Sequence, residues 1–156
     1  MEYYLILKLI HILAAVVVTG TGAGIAFFMF MANRSNNLQA IYVTAKTVVL
    51  ADWIFTTPAV VSQIVTGMML MYKLNYSFTS TWFYLVIGLF VFIGVCWLPV
   101  LLIQYRLREL AKESAESNKL DPQFKRLMNI WTALGIPAFC GILIIFWLMV
   151  FKPFLS

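Results

Sequence analysis

Long apolar runs separated by short polar breaks dominate the chain. About 20 apolar residues suffice for a helix to cross the hydrocarbon core of a bilayer. Four runs reach that length: residues 4–32, 47–72, 82–104 and 128–151. Lys8 and His11 are the strongly polar residues of the first run, and Lys46 lies in a more polar lead-in to the second. The breaks carry helix punctuation. Asn33-Arg34-Ser35-Asn36-Asn37 stops the first helix and offers an N-cap for the second, and Thr79 or Ser80 suits the start of the third. Asp121-Pro122 is an acidic N-cap followed by proline at the first helical position, and Lys152-Pro153 closes the fourth helix. The pattern predicts an all-α membrane protein, an antiparallel four-helix transmembrane bundle in a single domain spanning residues 1–156.

The third helix is expected to continue past the membrane. Residues 106–116 are rich in helix formers, with Lys112 and Glu116 at i,i+4 and with Leu107, Leu110 and Ala111 on one face. This segment reads as a solvated extension within a loop of about 105–127. The first run has no basic segment before it and outlasts a signal peptide, so it reads as a retained helix.

Composition agrees with this picture. Of 156 residues, 63% are hydrophobic and 11% charged, against about 25% charged in a soluble domain. The net charge of +5 is concentrated by segment. Arg34, Lys46, Arg106, Arg108, Lys112, Lys119, Lys125 and Arg126 fall on one side of a four-span bundle, with Lys8, Lys73 and Lys152 on the other. By the positive-inside rule the 105–127 loop is cytoplasmic and both termini are external. Trp82 and the Tyr3/Tyr4 and Tyr72/Tyr76 pairs suit an outer aromatic belt, and Trp131 an inner one. Nucleic-acid binding has no support, because no basic patch is interleaved with aromatics. Cys96 and Cys140 sit in apolar runs without metal or redox spacing.

Polar groups within hydrocarbon are costly and therefore informative. At 1.5 Å rise per residue they form two layers. His11, Gln63 and Thr66 lie roughly 8–12 Å below the outer end. Asp52 lies near the inner end, level with Gln104, Arg106, Asn129 and Arg126, and is expected to pair with Arg106, Arg126 or Arg34. His11 is the sole histidine, and Ala14, Ala15, Val18 and Gly22 follow it on a small-residue face. A porphyrin could lie there with His11 as the axial iron ligand; equally, the face could admit another helix, with His11 bonding across to it. Gly20 and Gly24 form a GxxxG pair that favours close helix packing. Pro58, Pro99 and Pro137 are expected to kink their helices. Met68, Met69, Met71 and Met149 collect near the outer end, where thioethers could hold Cu(I) or act as core filler.

Leu7-Lys8-Leu9-Ile10-His11-Ile12-Leu13-Ala14-Ala15, the Gly20–Gly24 run, Ala51-Asp52-Trp53-Ile54-Phe55-Thr56-Thr57-Pro58, Gln63-Ile64-Val65-Thr66-Gly67, Cys96-Trp97-Leu98-Pro99 and Phe151-Lys152-Pro153 together resemble a bacterial family of small predicted integral membrane proteins of unknown function. That family is distantly similar to HemJ, a haem-binding membrane protoporphyrinogen oxidase, and to the membrane domain of the copper-resistance protein CopD. Lys8 and His11 match the Lys-x-x-His pattern that opens both. The resemblance implies a bacterial inner-membrane protein and a b-type haem on His11, with Lys8 able to meet a propionate, Gly22 under the ring, and Gln63 and Thr66 as polar neighbours. With one histidine, the second axial ligand would be Met, Lys, water or the His11 of a second copy. Two other classes remain open: an accessory membrane subunit, alone or in a homo-oligomer or larger complex, and an oligomeric transporter of copper or a small molecule.

The charge asymmetry makes the topology testable. In whole cells, an impermeant thiol reagent is expected to label a cysteine placed at residue 77 and to spare one at residue 118. The reverse pattern would invert the orientation.

Overall fold

The computed structural model describes residues 2–153. It consists of helices α1 (Glu2–Arg34), α2 (Leu38–Ala51), α3 (Thr57–Lys73), α4 (Thr81–Ser117) and α5 (Pro122–Phe151), with no strand among the described residues. One π-helical turn, Asp52–Thr56, joins α2 to α3, so that Leu38–Lys73 runs as one continuous rod. The four rods are each long and apolar enough to cross a membrane.

Local chemistry explains where each helix starts and stops. The side chains of Asn37, Ser80 and Asp121 accept hydrogen bonds from the backbone N–H groups of Ala40, Phe83 and Gln123, capping α2, α4 and α5. Asn36, Asn75 and Asn118 adopt left-handed backbone angles just past helix ends, a conformation asparagine tolerates better than most residues. Pro58 has no N–H to return to the preceding turn, and beside it the Thr57 N–H reaches back to the Asp52 carbonyl, closing the wider π turn. Pro99 and Pro137 lie inside helices that continue through them.

The rods pack as two close pairs, α1 with α3 and α4 with α5, while α2 packs on α4 and on α1. Glycine sets the second pair: a Cβ on Gly141 would stand 2.9 Å from Ile93 Cγ1, so α5 approaches α4 as closely as hydrogen permits. The α3 backbone packs only on α1 and the π turn. The far end of α3 meets the other pair through side chains, where buried Met71 joins Trp82 and Leu148.

Packing is densest at the end that carries the basic segments. Ile25, Met29, Ala32, Ile41, Ala45, Val48, Leu107, Leu110, Ala111, Phe124 and Met128 form one buried cluster there. The expected solvated extension of α4 is thus a core element. Its Leu107, Leu110 and Ala111 are at most 1% exposed, because the lead-in of α2 and the first turns of α5 run alongside. Ser114 ties the extension down by accepting the Asp121 N–H at 3.1 Å. At about 55 Å for its 37 residues, α4 outreaches the hydrocarbon, so this part of the core lies beyond it. The expected Lys112–Glu116 pair is not formed; Arg108 binds its neighbour Glu109 instead, at 2.7 Å.

Two aromatic-belt assignments are corrected. Trp82 and Trp131 are 4% and 7% exposed and belong to the core. Trp82 donates from Nε1 to the Leu148 carbonyl at 2.8 Å, and Lys152 Nζ donates to the Tyr76 hydroxyl at 2.8 Å, so the terminal end is clamped across α4, α5 and the α3–α4 link. The GxxxG expectation also fails. Nothing within 4 Å packs on Gly20, and Gly24 meets only Phe28 of its own helix.

Glycines 141 and 135 therefore make a controlled pair. Gly141→Leu is expected to cost about 1–3 kcal/mol through overpacking against Ile93. Gly135→Leu, with nothing within 4 Å of its Cβ position, is expected to stay within about 0.5 kcal/mol of the parent. Thermal unfolding in detergent compares them.

Candidate functional site

Between the dense basic end and the Trp82 clamp the two helix pairs part around a cavity of about 750 Å³. All four rods line it. Ala15, Val18, Gly22 and Ala26 form the α1 wall, Ile93, Gly94 and Trp97 the α4 wall, and Gly135, Phe139 and Ile142 much of the α5 wall. Gly22, Gly94 and Gly135 have open space where a Cβ would stand, so glycine sets the width. Phe27, Phe30, Leu98 and Ile136 line the cavity yet are more than half exposed. Leu98 and Ile136 sit mid-helix and Phe27 and Phe30 toward the basic end of α1, so the cavity opens sideways between the rods.

The fully buried polar residues of the wall gather toward the basic end, while Thr19, Gln63 and Thr132, which also line it, donate to helix carbonyls. Asp52, Thr56, Gln104 and Trp131 all line the cavity, and each is at most 7% exposed. Thr56 and Gln104 are the nearest polar neighbours of Asp52. Both side chains are turned toward the Asp52 carboxyl as hydrogen-bond donors, but at poor geometry, so that Thr56 Oγ1, like Trp131 Nε1, is buried without a well-formed hydrogen bond. The expected ion pair of Asp52 is not formed. Arg108–Glu109 is the one ion pair among the described residues, while Arg34, Arg106 and Arg126 are exposed and Arg106 reaches Gln123 at 3.4 Å. The expected layer thus splits: Asp52 and Gln104 face inward, and Arg106 and Asn129 face outward. The π turn that carries Asp52 is further held to α4 by a hydrogen bond from Trp53 Nε1 to the Tyr105 hydroxyl.

The second layer is a helix seam. His11 Nδ1 lies 2.8 Å from Thr66 Oγ1, and that hydroxyl sits 2.5 Å from the Ser62 carbonyl, which can only accept. Thr66 therefore donates to Ser62 and accepts from His11, placing the imidazole proton on Nδ1 and the lone pair on Nε2. Gln63 Nε2 donates to the His11 carbonyl at 2.6 Å. Gly67 makes room for the ring, since a Cβ there would stand 3.3 Å from His11 Cε1. His11, Gln63 and Thr66 are brought together as expected. The small-residue face is divided: Ala14 is buried on the α3 side, while Ala15, Val18 and Gly22 face the cavity. Lys8 is exposed, 5.9 Å from the Tyr4 ring centroid.

This geometry bears on the haem expectation. A porphyrin on the Gly22 face would lie in the cavity, but His11 is not among the cavity-lining residues. The wall offers Met128 and Cys140 and no imidazole, and no group of three metal-ligating side chains occurs among the described residues. A His11-ligated haem does not fit this arrangement. The methionines diverge as well: Met68 and Met69 face outward, while Met71 and Met149 pack on the Trp82 clamp.

Thr56 and Trp131 escaped the sequence reading. Thr56 had a faint signal, four residues after Asp52; Trp131 reads as an inner-belt aromatic, with nothing to point its ring at the cavity.

Four membrane-length apolar rods with buried polar groups only in their interior define an integral multi-span membrane protein, which would sit in a lipid bilayer. Residues 5–153 match the family described as predicted integral membrane protein (DUF2269), and the chain belongs to that family. No curated protein and no solved structure matches it, so the distant similarity to HemJ and CopD gains no support.

The hydrogen-bonded seam sets an expectation for His11. His11→Ala is expected to lower stability in detergent by about 1–2 kcal/mol, and parent protein expressed with ample haem is expected to show no Soret band. A Soret band abolished by His11→Ala would restore the haem assignment.

Proposed function

We propose that this protein binds a lipophilic molecule inside the bilayer, in the cavity between its two helix pairs. One observation carries the reading: an apolar chamber of about 750 Å³, open sideways between membrane-length rods and bordered by two buried polar atoms without well-formed partners. That volume lies in the usual range for small-molecule sites, which are mostly apolar with a few placed polar groups. A molecule already dissolved in the hydrocarbon can enter without crossing water. The terminal clamp and the basic-end core hold the helix pairs apart, so the space is preformed, which lowers the cost of binding. The bias of basic residues toward one end supports a further part of the proposal, a bacterial cytoplasmic membrane with that end in the cytoplasm.

Binding and presentation of a lipid-soluble molecule suit this arrangement better than transport by one chain, because one side opening gives no continuous path across the membrane. An accessory role within a larger complex is compatible with it.

The test uses protein in lipid nanodiscs and a diazirine-bearing fatty alcohol as photoprobe. Saturable labelling is expected on Phe27, Phe30 and Ile136. The double variant Gly22→Leu/Gly135→Leu is expected to abolish it while leaving thermal stability unchanged, because both side chains project into open space. Labelling spread evenly over the outer apolar faces and indifferent to the double variant would refute the proposal.

A further inference from the structure

The group at the basic end of the cavity narrows the chemistry of the occupant. Asp52 is 4% exposed, and no Lys or Arg nitrogen stands within 4 Å of it. Its neighbours Thr56 and Gln104 are neutral, and Trp131 can only donate. The arginines that could have matched it by height point away from the cavity, so the chain supplies no counter-charge. An unpaired carboxylate in surroundings this apolar carries a large desolvation cost, which a cation in contact relieves. The chamber beside it is the one direction from which such a cation can come.

We infer that the occupant is a long-chain amine, its protonated nitrogen on the Asp52 carboxylate and its chain lying along the Gly22–Gly135 walls. This rests on the cavity reading above and adds the head group to it. Thr56 then has a use: its hydroxyl, turned toward Asp52 without a well-formed bond, has its acceptor lone pairs free and takes a second N–H of the same ammonium. Gln104 also lines the cavity, and its amide carries a carbonyl oxygen able to take a third. An ammonium carries three donors, and three acceptors border the cavity at this point. The rest of the wall is uncharged, and its polar members Thr19, Gln63 and Thr132 already donate to helix carbonyls, so the chain of the ligand meets mostly apolar side chains and glycine.

Competition against the photoprobe tests the head group separately from the cavity. Dodecylamine and dodecanol share a chain and differ in charge. In the parent protein at neutral pH the amine is expected to displace the probe about tenfold more effectively than the alcohol, the worth of one charge-assisted hydrogen bond. Asp52→Asn, which keeps the shape of the side chain, is expected to erase that preference and leave dodecanol unchanged. Thr56→Val, which removes only the unpartnered hydroxyl, is expected to lower the preference severalfold, and it provides a second readout should Asp52→Asn fail to fold. Equal displacement by amine and alcohol in the parent, or an amine preference that survives both variants, would overturn the inference and leave the cavity reading intact. Displacement by neither compound would overturn both.

Discussion

Helices in a bilayer receive no hydrophobic push toward one another, because lipid tails are as apolar as the side chains they would replace. Contact must come from close van der Waals fit or from polar groups that have nowhere else to bond. Every seam within the spans obeys this constraint. The α4–α5 pair closes where Gly141 admits Ile93, and the α1–α3 pair where Gly67 admits His11 and Thr66 accepts its hydrogen bond. The far ends of α4 and α5 are joined by the Trp82 N–H on the Leu148 carbonyl. Where neither device is present, the rods stand apart, and that gap is the cavity. Beyond the hydrocarbon the rule changes. The Leu107–Leu110–Ala111 face lies where water would otherwise reach it, so ordinary hydrophobic burial applies and the packing becomes tight.

The π turn links these two regimes. One extra residue in a turn rotates everything beyond it by about 100° relative to an unbroken helix. Before the turn, Leu38–Ala51 packs on α4 and α1. After it, Thr57–Lys73 has left α4 and packs on α1. Pro58 favours the insertion because no N–H is lost there. Asp52 and Thr56 bound the turn and face the space that the departure of α3 opens. The feature that makes the cavity thus also furnishes its polar end.

Much of this was legible in the sequence, and the parts that were not share a cause. Run lengths and the caps at Asn37, Ser80 and Asp121 placed all four rods, because burial of backbone polar groups in lipid leaves helix as the only choice for such segments. Height along the membrane was legible too: His11, Gln63 and Thr66 do meet. Direction around each helix axis was not. Asp52 and Arg106 lie at similar depth, yet one faces the cavity and the other faces out. The unseen π turn shifts the azimuth of everything after Ala51, and a uniform apolar run offers no amphipathic contrast to reveal a face. Trp131 illustrates this: an aromatic near a membrane boundary reads as a belt residue unless its direction is known. The α4 extension did show such contrast, in the shared face of Leu107, Leu110 and Ala111, but it reads as solvated because the elements that cover that face are remote in sequence.

The same distinction separates His11 from Asp52 as candidates for function. A single imidazole in a membrane helix attracts attention by its rarity, but each polar group around it is accounted for: Nδ1 by Thr66, the Thr66 proton by Ser62, and the Gln63 amide by the His11 carbonyl. Such a set holds two helices together and asks for nothing further, apart from the Nε2 lone pair. At the other end of the cavity the accounting stays open. An acid without a cation, a hydroxyl without a partner and an indole N–H without an acceptor border one empty volume. A bundle that needed only stability would be served as well by apolar residues at these positions. Polar groups left unpaired in hydrocarbon persist at a cost to the fold, and the proposed amine would offset that cost.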